Sequence, residues 1–200
     1  MSSPSRRAVR PEEPRDRLFA AAVETFAAQG FHGTTTRDIA AAAGMSPAAL
    51  YVHHRSKEEI LFRISRRGHE TTLGILRAAR ASSEDHVERL RAVVRDFVTY
   101  HARSHTSARV VNYELAALAP EHLDEITALR HAIDAEVQAV VRDGVDAGVF
   151  ACPEPRIAAA ALLSLGVDVA RWWRDGGAWT PEELGEHYAD VALRIVGVVR

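Results

Sequence analysis

The chain reads as an all-α protein: an N-terminal three-helix helix-turn-helix unit followed by a larger helical body. Three observations predict it. Alanine is abundant, β-branched runs are few and only 6% of residues are aromatic, a composition that favours helix. Apolar residues recur at spacings of three and four rather than two. Helix-capping residues stand directly in front of those periodic stretches, at Thr35, Ser46 and Ser56.

Composition narrows the class further. An apolar fraction of 47% over 200 residues suits one large domain, or a small one joined to a medium one, with a sizeable core. No stretch approaches the roughly 20 consecutive apolar residues that span a bilayer, and the first 17 residues lack the apolar centre of a signal peptide. Cys152 is the single cysteine, which excludes an internal disulfide and a cysteine-rich zinc site. A soluble cytoplasmic protein is the expectation. Net charge is only −2, but residues 1–68 carry 11 Lys/Arg against 7 Asp/Glu and residues 69–200 carry 14 against 20. A cationic head on an anionic body can meet a polyanion with one end only.

Residues 1–14, with three prolines and three serines among Arg6, Arg7 and Arg10, read as a disordered basic arm able to touch phosphate. A first helix over residues 15–28 carries the stripe Leu18, Ala22, Phe26 and closes near Gly30, where a C-cap favours a left-handed residue. Thr35 caps a second helix, with Asp38 completing a capping box, and that helix ends at Gly44. Ser46 caps a third, with Pro47 at its first position, where a missing N–H is harmless. Ser56 caps a fourth, with Glu58 and Glu59 opposing the helix dipole. The tight turn Gly44-Met45-Ser46 between two short helices predicts a helix-turn-helix. Small residues at Pro47, Ala48 and Ala49 let that third helix approach base edges in the major groove, while Thr35, Thr36 and Lys57, at the starts of the flanking helices, suit phosphate oxygens.

The segments Thr34-Thr35-Thr36-Arg37-Asp38-Ile39-Ala40, Ala43-Gly44-Met45-Ser46 and Leu50-Tyr51-Val52-His53-His54-Arg55-Ser56-Lys57-Glu58-Glu59-Ile60-Leu61 resemble, at the right spacing, the head of the TetR family of transcriptional regulators. The resemblance covers about 50 residues, and Leu18, Ala21, Ala22, Phe26, Gly30 and Phe31 extend it to the first helix. It implies that Thr36, Arg37, Ser46, Ala48, Tyr51, His53 and Lys57 face DNA. With Thr35, Pro47 and Ala49 they form the expected DNA-binding set. His54 stands where the family has a core phenylalanine and is expected to pack there, with a pH-switching role as the lesser alternative.

Further helices are expected near residues 57–81, 85–103, 108–118, 121–147, 155–175 and 181–199, with breaks at Ser82-Ser83, Ala119-Pro120, residues 148–153 and Gly176-Gly177. The division implied is a 1–14 arm, a 15–64 DNA-binding domain and a 65–200 effector-binding and dimerisation domain. In the resembled family the fourth helix joins head to body and the last two pair with their copies. The apolar runs 157–169 and 191–199 suit burial on more than one face. A homodimer on a palindromic double-stranded operator follows, because one short recognition helix reads too few base pairs.

The segment Arg171-Trp172-Trp173-Arg174-Asp175-Gly176-Gly177 resembles that of TetR-type regulators sensing acyl-coenzyme A thioesters, many of which carry W-Y-R-P-x-G here. Trp173 replaces the Tyr and Asp175 the Pro. Arg171, Trp172 and Arg174 are therefore expected to bind effector, with packing of the dimer seam as the alternative. Tyr113 and Glu114 are expected to face the ligand cavity or the core. His101 and His105 lie four apart, which on one helix would begin a metal site, but no third ligand follows. No catalytic constellation or cofactor motif is present, so no enzymatic activity, cofactor or metal is expected. The expected function is an operator-bound repressor released by a small hydrophobic effector, such as an acyl-CoA. The alternatives are a multidrug sensor governing an efflux pump, against which the absence of methionine from the body argues mildly, and a non-sensing architectural DNA binder.

Overall fold

A computed structural model describes residues 14–199. The basic arm, with Arg6, Arg7 and Arg10, lies outside the described residues, as does the side chain of His53.

Helix α1 (Pro14–Gly33) turns Leu18, Ala22 and Phe26 inward, as their spacing requires. Gly30 takes the left-handed φ of 71° with ψ 168°. A side chain is strained there, and the resulting kink directs one more turn, with Phe31, into the same core. Helix α2 (Thr36–Ala42) begins with the expected capping box: the Asp38 N–H donates to Thr35 Oγ1 at 3.2 Å and the Thr35 N–H to Asp38 Oδ2 at 2.8 Å. Gly44, at φ 66°, turns the chain into α3 (Pro47–His53), capped by Ser46 Oγ, which accepts from the Ala49 N–H at 3.1 Å. Ser56 caps α4 (Lys57–Arg80) in the same way, accepting from Glu59 at 3.0 Å. With 24 residues, α4 is about 36 Å long.

The body adds α5 (His86–Arg103), α6 (His105–Tyr113), a 3₁₀ turn (Leu115–Ala117), α7 (Pro120–Asp146), α8 (Pro155–Trp172) and α9 (Pro181–Val196). Among the described residues nothing is sheet beyond an isolated antiparallel bridge joining Phe150 to Val198. Three body helices have bounds that differ by more than a residue from the sequence expectation. The chain breaks at Ser104, so α6 starts at His105 rather than 108, and it closes at Tyr113 before the 3₁₀ turn. Helix α8 ends at Trp172 rather than 175, because Trp173 leaves helical geometry and turns into the core. Gly197, at φ 64°, stops α9 at Val196.

Two apolar cores result. The first gathers Leu18, Phe26, Ile39, Leu50, Ile60 and Leu61 from α1–α4, together with Val110 and Val111 of α6 and Ile126 of α7. The second joins Leu76, Leu90, Val93, Val140, Leu162 and Ala192 from α4, α5, α7, α8 and α9. Helices α5 and α9 approach closely because Gly185 faces α5: a Cβ there would lie 2.4 Å from Thr99 Oγ1 and 2.8 Å from the Arg95 carbonyl oxygen. Overpacking of this kind typically costs about 1–3 kcal/mol. Gly185→Ala is therefore expected to lower the urea-unfolding midpoint by a corresponding amount with little change in m-value. An unchanged midpoint would show that the α5–α9 seam is looser than described.

Candidate nucleic-acid interface and effector cavity

The helix-turn-helix presents a continuous outer face. Thr35, Arg37, Ser46, Pro47, Ala48 and Tyr51 are exposed, and Thr36 and Ala49 are half-buried. A 3.0 Å hydrogen bond between the Thr36 and Tyr51 hydroxyls ties the start of α2 to α3 and fixes the tyrosine ring on the surface. The structure thus brings together eight of the ten residues expected to face DNA. Val52, 76% exposed on α3, was missed. Its spacing of four from Ala48 places the two on one helix face, and that spacing was the available signal.

Lys57 is placed differently from the phosphate contact expected of it. Its ammonium donates to the carbonyls of Phe31 at 2.7 Å and Thr34 at 2.8 Å and sits 4.3 Å from the centre of the Phe31 ring. It pins the end of α1 to the start of α4, and its position is internal to the head. His54 occupies the head core as expected, buried, with its ring centroid 5.5 Å from that of Phe19.

A cavity of about 310 Å³ opens in the body between α4, α5, α6, α7 and α8. Its inner wall carries Phe97, Val111, Ile133, Leu163 and Val167, with the buried histidines His69 and His101. Arg130 and His131 are exposed at its rim. Each histidine is oriented by its own helix: His69 Nδ1 lies 2.8 Å from the Ser65 carbonyl oxygen, and His101 Nδ1 lies 2.9 Å from that of Phe97. A carbonyl can only accept, so Nδ1 carries the proton in both rings. Burial holds both imidazoles below the ordinary histidine range, His101 to about 4. Both are neutral at physiological pH. No residue of this wall stood among the expected effector-binding residues. The available signal was a lone histidine within each buried stripe.

The residues expected to bind effector lie elsewhere. Tyr113, Glu114 and Arg171 line a smaller pocket of about 250 Å³, with Phe26, Gly30 and Arg109, and not the larger cavity. Arg171 is held by Asp168, donating from Nε at 2.6 Å and Nη2 at 3.0 Å. Arg174 donates to the main-chain carbonyls of Trp173 and Arg171 at 2.6 and 3.2 Å, closing the end of α8. Trp172 is part-exposed beside it, and Trp173 is buried. The pairing of His101 with His105 dissolves at Ser104, which puts the two on different helices. Among the described residues no group of three His, Cys, Asp or Glu side chains is placed to hold a metal ion, and no helix is long and apolar enough to cross a membrane.

An exposed helix-turn-helix joined by one helix to a cavity-bearing helical body defines a DNA-binding transcriptional regulator. The chain belongs to the TetR family. Residues 18–64 match the model for bacterial regulatory proteins of the tetR family, and residues 83–196 match that for the tetracyclin repressor-like C-terminal domain. The chain is 29% identical to the transcriptional repressor KstR2 of Rhodococcus jostii over 181 residues, 90% of this chain and 89% of the relative. It is also 29% identical to the transcriptional activator FasR of Mycolicibacterium smegmatis over 164 residues, 81% and 73% of the respective chains. A tetR-family regulatory protein of known structure from Rhodococcus RHA1 superposes with a TM-score of 0.88 at 39% identity, covering 94% of this chain and all of the other.

Proton linkage gives the cavity wall a measurable signature. The unfolded chain protonates His101 near 6.5, the folded protein only near about 4. Between those values the unfolded state binds more protons, so stability falls as pH is lowered, by up to roughly 3 kcal/mol for this residue. His69 acts in the same direction. Denaturant titrations at pH 7 and 4.5 are expected to show the loss, and His101→Gln to reduce it. An unaltered pH slope in that variant would contradict the burial described.

Proposed function

We propose that the protein is a homodimeric, ligand-responsive repressor that leaves a palindromic operator when a small hydrophobic effector fills the 310 Å³ cavity. The observation that carries this reading is the course of α4. Its first turns place Ile60, Leu61 and Ile64 in the head core, and its middle places Gly68, His69 and Thr72 in the cavity wall. A ligand that favours a different seat for that wall moves the head with it, and release follows from its differential affinity for the two seats. Repression rather than activation is the sign favoured, because the KstR2 match spans more of the chain than the FasR match. The effector sits in this cavity and not in the pocket beside Arg171. For the phosphates of an acyl-CoA this cavity offers only Arg130 at its rim, while Arg171, Trp172 and Arg174 lie outside it. Phosphate and base contacts come from the exposed head face, with Arg37 and Tyr51 at its centre and Val52 offering an apolar contact to a thymine methyl.

Binding-site selection from random duplex DNA is expected to return an inverted repeat. Arg37→Ala and Tyr51→Ala should weaken binding to the selected duplex by about tenfold or more. Ala108→Phe, which crowds the cavity, should keep that binding and lose ligand-induced release. Selection of no sequence would overturn the regulator reading, and a variant that still releases would displace the effector from this cavity.

The dimer is placed on the outer faces of α8 and α9, where Ile157, Leu165, Val191 and Ile195 stand exposed in one chain. Monomers rarely leave so many large apolar side chains together in water. Leu165→Glu is expected to shift the protein from dimer to monomer in sedimentation at micromolar concentration. A wild type that is itself monomeric there would refute the placement.

A further inference from the structure

We infer that the effector is a neutral, compact molecule that donates a hydrogen bond from a hydroxyl or N–H group to the two histidines in the cavity wall. This deepens the effector-cavity reading above and rests on it.

The inference begins with the hydrogen-bond inventory of the wall. Because Nδ1–H of His69 and of His101 is committed to a carbonyl of the preceding turn, each Nε2 is left as a bare acceptor. His69 Nε2 is buried and has no hydrogen-bond partner among the described residues. Two of the donors on the same wall are engaged within their own helix. The Thr72 hydroxyl donates to the Gly68 carbonyl at 3.0 Å, and the Asn112 amide donates to the Ala108 carbonyl at 2.8 Å. Beside Phe97, Val111 and Ile133, the unpartnered acceptor on this wall is therefore His69 Nε2.

An acceptor-lined wall discriminates. A carbonyl, ether or ester oxygen turned towards two imidazole lone pairs is repelled and leaves both unpaired, whereas an O–H or N–H group meets them. A buried acceptor without a partner is costly, and a guest that supplies the missing proton removes that cost. Charge is disfavoured on both sides: the imidazoles are neutral, and the apolar wall would have to desolvate an ion. Size sets the remaining limit. At 310 Å³ the cavity lies at the lower end of the range for small-molecule sites, which fits one or two rings or a short branched chain carrying the donor at its inner end. The chemical class is thus alcohols, phenols and their N–H counterparts on an apolar frame.

Matched pairs test this without DNA, so the outcome is independent of whether the protein represses. Calorimetry on the full chain would use 2-naphthol, 4-phenylphenol, cyclohexanol and 1-octanol, each beside its methyl ether. The ether preserves shape and the acceptor oxygen and removes only the donor. The alcohols or phenols that fit should bind at least about tenfold tighter than their ethers. His69→Phe, which keeps the ring and removes the acceptor, should shrink the preference to about twofold or less, and His69→Gln, which retains an acceptor, should preserve most of it. Should His69→Phe fail to fold, as judged by circular dichroism, the wild-type pairs decide alone. Equal affinity within every pair, an undiminished preference in a folded His69→Phe, or no binding by any donor-bearing compound would each overturn the inference. Equal affinity within pairs would still leave the effector-cavity reading standing. Loss of DNA release with the donor preference intact would instead remove the regulatory reading and keep this one.

Discussion

One helix is shared by two cores, and the remainder of the structure is arranged around that sharing. The first turns of α4 lie among α1–α3, with Ile60 and Leu61 fully buried; its last turns put Leu76 and Ala79 among α5 and α7. An α-helix of this length does not stretch, since every interior N–H is bonded four residues back. A displacement at one end is therefore delivered to the other as tilt or translation. Both ends are fastened by charge-assisted hydrogen bonds. Lys57 holds the carbonyls at the end of α1, while Arg80, near the far end, bonds Glu136 at 3.1 Å and Asp143 at 3.2 Å on α7. Between these fastenings Gly68, His69 and Thr72 border the cavity.

A second connection runs beside the first. Glu58, in the opening turn of α4, accepts from the Ala119 N–H at 2.9 Å and lies 2.8 Å from His122 Nδ1, while the Phe62 ring stacks on His122 at 3.8 Å and within 5° of parallel. The start of α7 is thereby joined to the head. Further along, α7 contributes Arg130, Ile133 and Asp134 to the cavity. Helix α6 plays a similar part: Val111 packs in the head core and also borders the cavity, where its methyl groups come within 3.2 Å of the Cβ position of Gly68. Three helices thus have one stretch in the head core and another in the cavity wall, and any repacking of the wall acts on the head through all of them. Coupling distributed in this way needs no single transmitting residue.

The sequence carried what is local and lost what is distant. Caps could be read because each is settled within four residues: Thr35 with Asp38, Ser46 with Ala49, Ser56 with Glu59 all form as spacing requires. The family resemblance rested on the same short-range pattern and gave the exposed face of the head. Helix ends decided by tertiary packing were not legible. Trp173 leaves α8 because the core takes its ring, and no neighbour in the chain announces that. The cavity was least visible, since its wall draws on residues from Gly68 to Val167 in five helices. The Arg171–Arg174 cluster drew the effector assignment because it is contiguous and chemically conspicuous. Contiguity also explains its actual state: Asp168, one turn back, and the carbonyls at the end of α8 are near enough to engage both guanidinium groups.

The histidines in the wall are better explained by function than by stability. An apolar side chain of similar size at either position would fill the same space, leave no acceptor unpaired and add no cost at low pH. His69 keeps a buried nitrogen without a partner among the described residues, a state that costs the folded protein of order 1–3 kcal/mol by comparison with other unsatisfied buried groups. Departures from local consistency of this kind concentrate at sites of function. Here the departure adjoins the cavity and lies on the helix that reaches into the head. On the proposed reading, a guest that satisfies this nitrogen in one seat of the wall and not in the other would bind the two seats with different affinity. That difference is the quantity the proposed ligand response would require, since a ligand bound equally well in both seats would move neither the wall nor the head.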